Sequence, residues 1–93
     1  MQRFMIDAER ILVSDGETIE FFWRGTTNGS SKWRFHVVHA AAELTPKRKG
    51  DEIAVKLGES SGRGVSGDVS FDLSVGRADE LTSFLAQAGV AIR

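Results

Sequence analysis

The sequence contains no cysteine, no tyrosine and a single proline, Pro46. Without cysteine there is no disulfide staple, no thiolate-bound metal and no cysteine nucleophile. That absence fits a reducing compartment. Neither sign of charge dominates: 12 Lys and Arg stand against 13 Asp and Glu, a formal net charge of -1. No global field draws the chain to nucleic acid or to an anionic membrane, so charge-driven binding must come from a local cluster. Long apolar runs are also missing. The opening MQRFMIDAER carries Arg3, Asp7, Glu9 and Arg10 and no signal-peptide core. No stretch approaches the roughly 20 apolar residues that span a bilayer. These absences lead to the expectation of a soluble, cytoplasmic protein with no transmembrane segment and with nucleic acid disfavoured as a partner.

What is present is a rhythm. The 93 residues suit a single domain, 1–93, with enough chain for one core. Apolar side chains recur at every second position in several short runs, the spacing of a strand with one buried face. Phe4 to Ile6 suits an edge strand, and Arg10 to Val13 is apolar and β-branched. Asp15-Gly16 is a two-residue hairpin signal, because both positions tolerate positive φ. From Thr18 to Arg24, Ile19, Phe21 and Trp23 share the core face, while Phe22 points away with Glu20 and Arg24. Trp33, Phe35 and Val37 share a face further on. Residues 40–45 suit either a strand or a helical turn, and Thr45-Pro46 directly after them favours the strand. Ile53, Val55 and Leu57 point inward, as do Val69, Phe71, Leu73 and Val75. Residues 58–67, GESSGRGVSG, read as a mobile loop.

The period changes only near the end. Ala78, Leu81, Phe84, Leu85 and Ala88 step by three and four, which is one helix face. Asp79 and Glu80 suit the positive end of the helix dipole. Gly89 suits a left-handed C-terminal position. A helix over residues 77–88 follows. The fold class is mainly β with one C-terminal α-helix.

Three segments carry a family resemblance: AERILV with IEFFWRG after a turn, RFHVVHAAAELTPKRKGDEIAVKL, and VSFDLSVGRADELTSFLAQAG. Together they resemble the pleckstrin-homology-like (PH-like) family, most of all its small stand-alone bacterial members. The resemblance implies a bent barrel of about seven antiparallel strands, capped by helix 77–88. Phosphoinositide-binding members have a basic residue, a loop and then a K/R-x-R pair, which Arg24, Lys32 and Arg34 resemble. Three converging cations would suit a phosphate through charge-assisted hydrogen bonds. Lys47, Arg48 and Lys49 form a second basic spot, suited to an acidic headgroup. Both spots also have a plain reading, as solvated charge that keeps a strand edge or a hairpin tip soluble.

Other motifs carry less. GRGVSG, residues 62–67, matches G-x-G-x-x-G, but a dinucleotide loop must open a helix and this one runs into a strand. On a strand His36 and His39 face opposite ways, and no third metal ligand stands near them. Asp68 and Asp72 share a strand face and read as solvated alternation. Phe22, with Val38 or Met5 nearby, could seed a contact patch.

The expected function is a non-catalytic binding or scaffolding domain, with a protein partner or self-association and no cofactor. Partners would meet loops or add a strand at an open sheet edge. The alternatives are a weak anionic-lipid or phosphate module, a structural homo-oligomer subunit, and a small ligand-binding or enzymatic α+β domain.

Overall fold

The computed structural model describes the backbone of every residue except 25–29, 49, 63 and 68, and the side chains of the rest apart from 24 and 30–32. The expected loop at 25–29, Lys49 and Asp68 lie outside the described residues, as do the side chains of Arg24 and Lys32. Among the described residues there are nine strands in two sheets and one α-helix. β1 (Gln2–Met5), β2 (Arg10–Ser14), β3 (Thr18–Arg24) and β4 (Ser30–His36) form an antiparallel meander in chain order. In the second sheet β6 (Glu52–Ser61) lies between β5 (Ala40–Pro46) and β8 (Val69–Ser74). Two short strands complete it. β7 (Gly64–Val65) pairs with the end of β6, and β9 (Ala91–Ile92) runs parallel to β5. The helix α1 (Ala78–Ala88) precedes β9.

The strand count and closure differ from expectation. Instead of about seven strands in one bent barrel there are nine in two sheets, and no described strand of one sheet pairs with a strand of the other. The physical reason lies at the junctions. β4 gives way to a 3-10 turn at Val37–His39, so it does not continue into β5, and β9 takes up an edge of β5. Residues 40–45 resolve as strand. Residues 58–61 extend β6 and 64–65 return along it as β7, where a mobile loop was expected.

One core joins the layers. Phe4, Leu12 and Ile19 of the first sheet meet Ile53, Val55, Leu57, Val69, Phe71 and Leu73 of the second, and Leu81, Phe84, Leu85 and Ala88 of α1 close it. The period-two reading therefore places most core residues correctly, with two exceptions. Val75 is exposed, because the strand stops at Ser74 and a 3-10 turn follows, in which Ser74 Oγ accepts from Gly76 N–H. Trp23 lies in register with Arg10 at the end of β3, beyond the packed core, and is 42% exposed. Trp33, packed on Phe35 with ring centroids 4.2 Å apart, keeps a buried indole N–H without a partner among the described residues. Such a group costs roughly 1–3 kcal/mol of desolvation.

The β2–β3 hairpin turns one residue later than Asp15-Gly16 suggested. Asp15 N–H donates to Thr18 O, so Gly16 and Glu17 are the central pair. Only Gly16 has positive φ, +94°, and glycine in the first central position is the pattern of a type II′ turn. Asp15 caps this turn: its Oδ1 accepts from Glu17 N–H and Thr18 N–H at 2.9 and 2.8 Å. Those donors hold its carboxyl below the ordinary aspartate range, Thr18 first.

The helix begins at Ala78, one residue later than expected, and stops at Gly89, where φ is +86°. A Cβ there would meet only Val37 Cγ2 at 3.7 Å, an ordinary contact. The cost of Gly89→Ala is thus backbone strain alone. It should come to about 1–2 kcal/mol, or roughly 4–8 °C in melting temperature per kcal/mol. A thermal melt followed by circular dichroism checks this; an unchanged midpoint would contradict the left-handed cap.

Candidate functional site

The outward side of the first sheet is built by strand register. Met5, Ile11, Phe22 and Lys32 are successive cross-strand partners from β1 to β4, and Arg3, Val13, Glu20 and Arg34 form the next row. Side chains of a strand alternate between faces. Phe4, Leu12 and Phe21 therefore serve the core, while Met5, Ile11 and Phe22 share the opposite side. Met5 is 57% exposed, and Ile11, Val13 and Phe22 are half-buried.

A shallow depression of about 210 Å³ sits at this end, with Met5, Ile11 and Phe22 beside the β1–β2 hairpin tip. That tip is stiff. Asp7 Oδ1 accepts from the N–H groups of Glu9 and Arg10, both at 2.9 Å. Its Oδ2 accepts from both Arg10 Nε at 2.9 Å and Nη2 at 2.6 Å, two charge-assisted hydrogen bonds converging on one oxygen. The Arg10 guanidinium, more than the Glu9 N–H, holds the Asp7 carboxyl below its ordinary range. An apolar row beside a fixed hairpin is a surface that can be buried without first ordering the chain.

The candidate patch of Phe22, Val38 and Met5 is brought together only in part. Met5 and Phe22 meet through Ile11. Val38 is 69% exposed but follows His36, which pairs with Thr18, four positions along β3 from Phe22. That is about 13 Å of strand. In the sequence Ile11, the bridging residue, shows only as part of an apolar strand; its place between Met5 and Phe22 depends on two registers that the sequence does not specify.

The candidate phosphate groups divide between the sheets. Arg24 lies opposite Ser30 and Lys32 opposite Phe22 in β3–β4. Arg34 is opposite Glu20, with Nε 3.4 Å from its Oε1, so part of its charge is already matched. Lys47 belongs to the β5–β6 turn of the second sheet, and its Nζ lies 2.8 Å from Asp72 Oδ2. Asp72 makes this ammonium hold its proton more tightly than an ordinary lysine. Arg48 is exposed and makes no ion pair among the described residues. Among the described residues, Arg34 and Lys47 thus stand on different sheets, each facing a carboxylate of its own.

The histidines differ from expectation. His36 ends β4 and His39 ends the 3-10 turn, whose three-residue period puts i and i+3 on one side. Their rings lie 6.2 Å apart, and His36 Nδ1 accepts from Val38 N–H at 3.3 Å. No group of three or more His, Asp or Glu converges among the described residues. A broad open depression of about 700 Å³ crosses β6 and β8, where Arg10, Glu52, Lys56 and Asp72 contribute charge. Its Asp72 is the carboxylate already bound to Lys47. Residues 64–65 of GRGVSG pair with β6, and β8 follows them, so no helix N-terminus faces the glycines. No described helix is long and apolar enough to cross a membrane. The chain matches no family model, no curated protein and no solved structure.

Proposed function

We propose that this chain is a non-catalytic protein-binding or scaffolding domain of the PH-like type. The fold side of the reading rests on strand order. What supports it is a meander of four strands, three further strands β5, β6 and β8, and a helix near the C-terminus, with β7 and β9 as two-residue additions to the expected seven. The functional side rests on one observation: the row Met5, Ile11 and Phe22 gives the outward face of a half-solvated sheet an apolar stripe beside a rigid hairpin. Such a stripe gains free energy when a partner covers it, at about 25 cal/mol per Å² of apolar area.

The test is selection of phage-displayed peptides on the immobilised full chain. The expected peptides bind wild type and lose at least tenfold in affinity to Phe22→Asp or Ile11→Asp, while Val38→Asp at the far end changes little. Circular dichroism and melting of each variant separate lost binding from lost fold. No enrichment, or binding indifferent to both substitutions, overturns the reading of this face.

A further inference from the structure

We propose that the open edge of β1, beside α1, accepts an extended acidic segment of a partner protein as an added strand. The inference rests on the reading of the chain as a binding domain and names where and what it binds. The pairing phase comes first. Ile6 N–H donates to Arg10 O at 3.0 Å, one step beyond the Met5–Ile11 pair. Hydrogen-bonding groups alternate along an antiparallel strand. Gln2 and Phe4 therefore turn their N–H and C=O toward β2, and Arg3 and Met5 turn theirs outward. Met5 O is taken by Arg77, whose Nη2 donates to it at 2.6 Å, while Ile6, past the last residue of β1, gives its O to Nη1 at 2.9 Å. The outward edge is left with Arg3 N–H, Arg3 C=O and Met5 N–H, a short ladder ready for a new strand.

The edge also has a wall. α1 packs against β1 through Phe4 and Phe84, ring centroids 5.9 Å apart, and Gln2 Nε2 donates to Gln87 Oε1 at 2.7 Å. Between them runs a groove of about 300 Å³, lined by Arg3 and Phe4 on one side and Glu80, Ser83 and Gln87 on the other. Alternate side chains of an incoming strand would lie in this groove, and the others would extend the Met5 row on the outward face. Main-chain bonds would supply affinity and the groove selectivity.

Charge sets the chemistry of the segment. Arg3 is exposed and makes no ion pair among the described residues. The nearby Glu80 is held by Arg77, with Nε 3.2 Å from its Oε1. Glu20, in the Arg3 row, already faces Arg34 at 3.4 Å. The unmatched charge at the edge is positive, so an aspartate or glutamate opposite Arg3 would be favoured.

The experiment uses peptides recovered from the phage library on the full chain. They should be rich in β-branched and acidic residues. Arg3→Glu should weaken them at least tenfold and shift a repeated selection toward basic peptides. Met5→Pro removes one outward N–H on an edge where proline is tolerated, and should weaken them at least tenfold. If Met5→Pro fails to fold, exchange of the amides reports instead: binding to wild type should slow Met5 and Arg3 N–H exchange at least tenfold. Peptides sensitive to Phe22→Asp but indifferent to Arg3→Glu, with no slowing at these amides, overturn the edge inference and keep the binding reading. Peptides sensitive only to the edge changes support the inference and remove the Phe22 stripe as the docking face. No recovered peptide overturns both.

Discussion

Leu12→Ala will lower the free energy of unfolding by about 2–5 kcal/mol, the range for deleting a leucine in a closed core. Leu12 has no exposed surface, and it sits on β2 between Phe4 and Phe21 in adjacent strands. Removing its branched end takes away buried apolar surface and leaves a cavity that two sheets and a helix cannot all collapse to fill. A domain of this size has roughly 5–14 kcal/mol of stability in total, so the variant loses a large share of it. Val38→Ala is the control. Its side chain is largely exposed, and a surface change of that kind stays within about 0.5 kcal/mol. Urea denaturation of both variants checks the pair. A Leu12→Ala loss under about 1 kcal/mol would mean that the two sheets do not pack over β2 as described.

The same contrast explains how much of the molecule its sequence reveals. Val69, Phe71 and Leu73 are buried while Ser70 and Asp72 are exposed, because a strand with one wet face writes its orientation directly into alternation. α1 is legible for the same reason, through Leu81, Phe84, Leu85 and Ala88 and the glycine that ends it. β7 and β9 are not. Each has two residues, too few for any period: β7 exists because the chain folds straight back on the end of β6, and β9 because the distant β5 offers an edge. Ala91 and Ile92 become a strand because Ala41 and Ala42 lie alongside, and Arg93 N–H then donates to Ala42 O. The closeness of His36 and His39 depends likewise on a three-residue turn that strand alternation hides. For the candidate surface, Phe22 and Met5 are legible as exposed apolar residues. Their union through Ile11 requires the β1–β2–β3 register, and the groove beside β1 requires α1 to come back across the sheet.

Besides the core contacts of Leu81, Phe84 and Leu85, one polar side chain ties that return of the helix to β1, and Arg77→Ala will expose its share, at a cost of about 2–4 kcal/mol. Arg77 stands just before α1 and reaches 71 residues back in sequence to the end of β1. Its Nη1 donates to Ile6 O at 2.9 Å and its Nη2 to Met5 O at 2.6 Å. Hydrogen bonds from a charged donor contribute roughly 1.5–3 kcal/mol each, less here because the side chain is about one-third exposed. The guanidinium also lies 4.7 Å from the Phe4 ring centroid, a contact worth about 0.5–1 kcal/mol at such a site. The ion pair with Glu80 adds little, since an exposed pair gives at most about 1 kcal/mol. Glu80→Ala should therefore cost far less than Arg77→Ala. Arg77→Lys keeps the charge but loses the planar fork that holds two carbonyls at once, so it should recover less than half of the loss. Urea denaturation of the three variants orders them, and a loss with Glu80→Ala equal to that with Arg77→Ala would reject the carbonyl clip. A second readout is local. With Met5 O released, the end of β1 should loosen against α1, and amide exchange at Phe4 and Ile6 should speed up more than at Leu57 in the second sheet. Uniform acceleration would instead mean that Arg77 stabilises the whole fold without fixing the edge of β1.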